Sequence, residues 1–183
     1  MSLIELDFRR NYFDLFSIPR GFEVDMQVLN ARYRELQSAY HPDRYVNAES
    51  RERRLAVQAS AWVNEAYETV RDPTRRARYL LELEGQMFND ERDTTFDSDF
   101  LMRQITFRES LEGVGSASNP LVELDLLMEE LRRERSQLYA HFQSAYEAGE
   151  FDEAKRTVLQ MNFFARLIAE AGDMAEGLED QNA

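Results

Sequence analysis

The stretch Asp25-Met26-Gln27-Val28-Leu29-Asn30-Ala31-Arg32-Tyr33-Arg34-Glu35-Leu36-Gln37-Ser38-Ala39-Tyr40-His41-Pro42-Asp43 decides the fold. Asp25 is an N-cap residue, with Val24 and Leu29 at staple positions around it. Met26, Leu29, Tyr33, Leu36 and Tyr40 recur at spacings of three and four, which puts one apolar stripe on an amphipathic helix. The helix must stop near Tyr40, because His41 precedes a proline and is pushed out of the helical region.

Downstream, a longer helix is expected from about Ala48 to Val70. Its stripe is Leu55, Ala59, Trp62, Ala66 and Val70, joined by Val63 and Tyr67. The two helices form an antiparallel hairpin with His41-Pro42-Asp43 at its tip. Asp72-Pro73 then supplies an N-cap and a proline at the first helical position. The helix it opens carries Ala77, Tyr79, Leu80 and Leu83 and stops at Gly85. Upstream, Asn11 caps a short helix that ends at Ser17-Ile18-Pro19.

Residues 86–97 are polar and acidic, with weak periodicity, and read as a linker. Three more helices follow, at about Asp99–Glu112, Asn119–Ala148 and Phe151–Met174, with Gly149 as a stop. Gly113 to Ser118 reads as a flexible connection and lacks the Gly-Lys-Ser/Thr pattern of a phosphate loop. The expected fold is all-α, with domains at 1–84 and 98–183 joined by a linker at 85–97. The second domain is a three-helix bundle.

Composition excludes several classes of function. The 183 residues carry a net charge of −13, which disfavours nonspecific binding to nucleic acid or an anionic membrane. The charge is uneven. Residues 1–76 hold 12 basic and 12 acidic side chains, and residues 77–183 hold 10 and 23. Such asymmetry points either to two modules with different partners or to a solubilising acidic surface. There is no cysteine and only two histidines, His41 and His141, so thiol chemistry, disulfides and thiolate metal sites are excluded. No cofactor or metal is expected. The sequence has no apolar run long enough to cross a membrane and no signal-peptide core, so a cytoplasmic location is expected.

Three named residues such as His-Pro-Asp occur by chance on the order of 10⁻⁴ per position, so the triplet alone is a modest signal. A plain turn accounts for Pro42 and Asp43 but leaves His41 unexplained. A catalytic His41–Asp43 pair lacks a nucleophile or metal nearby. The helical hairpin around the triplet sharpens the reading. From Tyr12 to Gly85 the sequence resembles the J-domain family: a short first helix, a second ending in Tyr40-His41-Pro42-Asp43, and a third with Asn64-Glu65-Ala66-Tyr67 followed by Asp72-Pro73. The resemblance implies that His41, Pro42 and Asp43, with charge from Arg32, Arg34 and Arg44, dock on a DnaK-type chaperone and favour its ATP hydrolysis. On that reading the chain is not an enzyme.

Tyr12-Phe13-Asp14-Leu15-Phe16-Ser17-Ile18-Pro19, Arg76 through Gly85, and Phe100-Leu101-Met102-Arg103-Gln104-Ile105 narrow the resemblance to the HscB family of iron–sulfur co-chaperones. It implies an L-shaped molecule whose J-domain stimulates an HscA/DnaK-type chaperone and whose C-terminal domain delivers the scaffold IscU.

In 99–112, Phe100, Phe107 and Leu111 share one side, while Leu101, Met102 and Ile105 form a neighbouring patch. On the last helix, Phe151, Ala154, Val158, Met161, Ala165 and Ile168 make one face, with Leu159, Phe163 and Leu167 opposite. Apolar positions on two sides serve either two packing neighbours or one neighbour and a partner. By resemblance the scaffold contacts are Leu101, Met102, Ile105 and Phe163, with Glu109 as an acidic member. At Thr106 and Gly113 the family can carry acids that this sequence lacks. A Cys-rich metal module found in some members is also missing, so neither zinc nor a cluster is expected to bind. The rival readings are a J-protein with another client and a helical enzyme using His41 and Asp43.

Overall fold

Short polar side chains start three of the helices, and left-handed residues end three. In the computed structural model, which describes residues 7–89 and 98–182, Asn11 Oδ1 accepts from Asp14 N–H and opens α1 (Tyr12–Phe16). Asp25 Oδ1 accepts from the N–H groups of Gln27 and Val28 and opens α2 (Met26–Tyr40). After a 3₁₀ turn at Pro42–Tyr45 comes α3 (Ser50–Arg71). Asp72 Oδ1 accepts from Arg75 N–H, with Pro73 first in α4 (Pro73–Leu83). The second half holds α5 (Ser98–Gly113), a 3₁₀ turn at Val114–Ser116, α6 (Pro120–Glu147) and α7 (Phe151–Asn182). The described residues contain no strand. None of their helices is long and apolar enough to cross a membrane. The expected linker lies outside the described residues from 90 onward, as do residues 1–6 of the N-terminus.

The chain divides into two compact units, residues 1–80 and 81–183. In the first, Leu29 and Tyr40 of α2 are fully buried against a small-residue face of α3 formed by Ala56, Ala59, Val63 and Ala66. That face differs from the expected stripe: Leu55 and Trp62 stand at its flanks, only half-buried. Trp62 instead receives Phe8, ring centroids 5.2 Å apart. The hairpin is locked by crossed polar–aromatic bonds. The Tyr33 and Tyr67 rings stack at 3.9 Å. Tyr67 Oη donates to Asn30 at 2.7 Å, and Tyr33 Oη donates to Asn64 at 3.1 Å. Buried Arg76 donates to Val70 O at 2.6 Å, where a guanidinium matches the negative end of α3, and its other flank lies over Phe22.

Four boundaries differ from expectation. Helix α1 is ended by Ser17 itself, left-handed at φ 53°, with Ile18 N–H reaching back to Phe13 O. Helix α3 starts at Ser50 rather than Ala48. The connection after Gly113 is not loose, because Val114 is fully buried in a 3₁₀ turn. Helix α7 runs on to Asn182, since its Ala- and Glu-rich end contains no proline to stop it. Gly85 and Gly149 end α4 and α6 at φ 79° and 75°, as read from the sequence.

In the second unit α6 and α7 form a long antiparallel pair. Leu124, Leu127, Leu131, Leu138, Phe142 and Ala145 are buried on α6, and Ala154, Val158, Met161 and Phe164 on α7. Leu167, expected opposite the core, is buried with them. The reason is that α7 packs on α5 as well as α6, which widens its buried arc.

Candidate functional site

The tip of the first hairpin is open to solvent. The His41 and Asp43 side chains are 51% and 85% exposed, and Pro42 is half-buried beneath them. His41 Nδ1 accepts from Asp43 N–H at 3.3 Å and lies 3.6 Å from the Asp43 carboxylate. In the neutral ring this leaves the hydrogen on Nε2. The imidazole and carboxylate are thus held side by side.

Arg32 and Arg34 are both exposed on α2. Arg32 pairs with Glu35 at 3.0 Å, which offsets part of its charge. Arg44 is exposed, yet its Nη1 donates to Ser38 O at 3.0 Å. Tyr45 Oη donates to Ala39 O at 3.0 Å. These two bonds have a sequence signal, since a proline after a helix end strips the last carbonyls of donors.

On α5 the two expected sides separate. Phe100, Phe107 and Leu111 are buried, whereas Leu101, Met102 and Ile105 are 44%, 63% and 51% exposed. Glu109 is exposed on the same outer surface. Phe163 of α7 is half-buried, edge-on to Phe100 with centroids 5.8 Å apart. Arg108 covers Phe163 from α5 and pairs with Glu170 of α7 at 3.7 Å. Arg103 pairs with Glu134 of α6 and lies over Phe164. Phe164 is the anchor of this arrangement and has no place in the sequence reading. It meets Phe100 and Phe107 at 6.3 and 5.4 Å. Both arginines of α5 are therefore tied to acids of neighbouring helices. The outer side of α5 is left apolar and acidic.

Among the described residues no group of three or more His, Asp or Glu comes together in a way that could hold a metal ion.

Residues 11–79 match the family model for the DnaJ domain, and residues 96–172 match the HSCB C-terminal oligomerisation domain. A co-chaperone protein HscB homolog from Burkholderia thailandensis is 41% identical across 92% of this chain and 96% of its own length. The chain belongs to the HscB co-chaperone family. A Paraburkholderia xenovorans HscB homolog is 38% identical over 93% of this chain and 97% of its own length. The chaperone HscB from Vibrio cholerae superposes with a TM-score of 0.83 at 36% identity, covering 94% of this chain and 99% of that one. Human co-chaperone HscB gives a TM-score of 0.83 at 28% identity, over 91% and 83% of the two chains. The J-domain and HscB readings of the sequence agree with these likenesses, and the chain is a J-domain co-chaperone.

Proposed function

We propose that this HscB-family chain couples two partners. The first is an Hsp70-type chaperone of the HscA/DnaK class, engaged by His41, Pro42 and Asp43 with Arg32, Arg34 and Arg44. The second is the iron–sulfur scaffold IscU, engaged by Leu101, Met102, Ile105, Glu109 and Phe163. The proposed outcome is faster ATP hydrolysis by the chaperone and cluster transfer from the delivered scaffold.

The single observation that carries the reading is the exposed, preformed loop at 41–43 on a rigid helical hairpin. A stiff loop loses little conformational freedom on docking. Arg34 and Arg44 add charge complementary to an acidic surface, which steers encounter. The chain offers no group to the ATP reaction. It acts by binding one chaperone conformation better than another, and it can shift the chaperone only by that difference. The exposed apolar strip on α5 supports the second contact, because side chains of that size left in water favour burial against a partner.

The test is the steady-state ATPase of an HscA-type chaperone with IscU, measured with and without this chain. The chain is expected to raise the rate, and more so with IscU present. An unchanged rate overturns the reading. Stimulation without IscU binding assigns the loop to a J-protein with another client.

A further inference from the structure

The last turn of α2 loses two hydrogen-bond donors to the loop that follows it. In a continued helix Ser38 O would accept from residue 42, but Pro42 has no N–H. Ala39 O would accept from Asp43 N–H, which donates instead to His41 Nδ1 at 3.3 Å. Arg44 Nη1 replaces the first donor at 3.0 Å, and Tyr45 Oη replaces the second at 3.0 Å. Arg53 Nη1, from the first turn of α3, reaches Val46 O at 3.5 Å and holds the far side of the turn. Residues 41–43 thus strip the helix end, and the next two residues repair it with their side chains.

We propose that Tyr45 and Arg44 are positioning residues for the 41–43 loop, and that Arg44 acts through Ser38 O in addition to any charge it offers a partner. The proposal rests on the reading of that loop as the chaperone contact. A loop held in one conformation keeps the binding-competent fraction high, and that fraction scales the apparent affinity. Loosening the clamp therefore raises the concentration needed for half-maximal stimulation while the maximal stimulated rate stays the same. Loosening it through Tyr45 leaves the salt dependence of binding unchanged as well, because that side chain carries no charge.

Tyr45→Phe removes one oxygen and keeps the ring. Its half-saturating concentration is expected to rise about twofold to tenfold, the range that one lost hydrogen bond gives. Backbone amide exchange at Asp43 and Arg44 is expected to accelerate, with exchange in the α3 core at wild-type rates. A merely structural role would move the core amides too. Arg44→Met is expected to loosen the same loop amides, and Arg44→Lys, which keeps a donor, to restore them. Wild-type loop exchange in Tyr45→Phe overturns the proposal. So does faster loop exchange with an unchanged half-saturating concentration. If the wild-type chain itself fails to stimulate any chaperone, the functional reading falls, and loop exchange alone decides whether the clamp exists.

Discussion

His141 Nε2 of α6 lies 2.8 Å from Glu153 Oε1 of α7, a side-chain link across the turn at Gly149. Glu153 also accepts from Arg156 one turn on. The bond to His141 and then the bond from Arg156 hold its carboxyl below the ordinary 4.5. A carboxylate depressed in the folded state adds stability that is complete above its unfolded value and is lost as pH falls through the lower folded value. Glu153→Gln is therefore expected to be less stable than wild type at pH 7, by about 0.5–1 kcal/mol for a pair this exposed. The gap should close as the pH falls below the unfolded value and then through the lower folded one. Urea unfolding at pH 7 and along an acid series checks this, and a gap that stays constant down the series contradicts it.

At the loop, His41→Gln is expected to bring chaperone ATPase down to its unstimulated level while IscU affinity stays at the wild-type value. The two readouts sit on different units, so binding titration beside the ATPase assay separates them. Joint loss of both would mean that the variant had unfolded.

Changing Leu101 and Met102 of α5 together with Phe163 of α7 to Ala is expected to weaken IscU binding at least tenfold, from the apolar area removed. Stimulation by the loop without IscU should be unaffected. Calorimetry with purified IscU measures the first and ATPase without IscU the second.

Between α2 and α3, Tyr67→Phe leaves the ring stack and deletes the bond to Asn30. It is expected to cost about 1 kcal/mol, since the Asn30 oxygen at a part-buried site loses its donor. The thermal midpoint of the first unit reports this directly.

Phe164→Ala removes a fully buried ring that touches Phe100 and Phe107. A loss of about 3–5 kcal/mol is expected, through the cavity left behind. Chemical denaturation should show it in the second unit, and a loss under 1 kcal/mol would mean that α5 does not rely on this contact.

What the sequence discloses and what it hides follow from the range of each interaction. Asn11, Asp25 and Asp72 cap helices within three residues of themselves, so their roles can be read along the chain. Gly85 and Gly149 end helices for a reason internal to the backbone. The exposed side of α5 follows from the spacing of Phe100, Phe107 and Leu111. Phe164 stands one turn after Met161, beside the stripe already read, but its part as an anchor depends on which rings α5 brings against it, Phe100 and Phe107. The partners of Arg103 and Arg108 were hidden because an arginine meets whichever acid the packing brings, here Glu134 and Glu170. Tyr45 has no place in the sequence reading, although the proline at 42 signals that the end of α2 is short of donors. Its hydroxyl has a purpose only once the Ala39 carbonyl is seen to have lost its usual donor.

The side chains that fasten α5 to its neighbours are not the ones it turns outward. Phe100, Phe107, Leu111, Arg103 and Arg108 do the fastening, so Leu101, Met102, Ile105 and Glu109 are free to vary without loosening the bundle. On the proposed reading of that strip as the scaffold contact, client preference can be redesigned along the outside of α5 while the residues that hold the bundle together are left untouched.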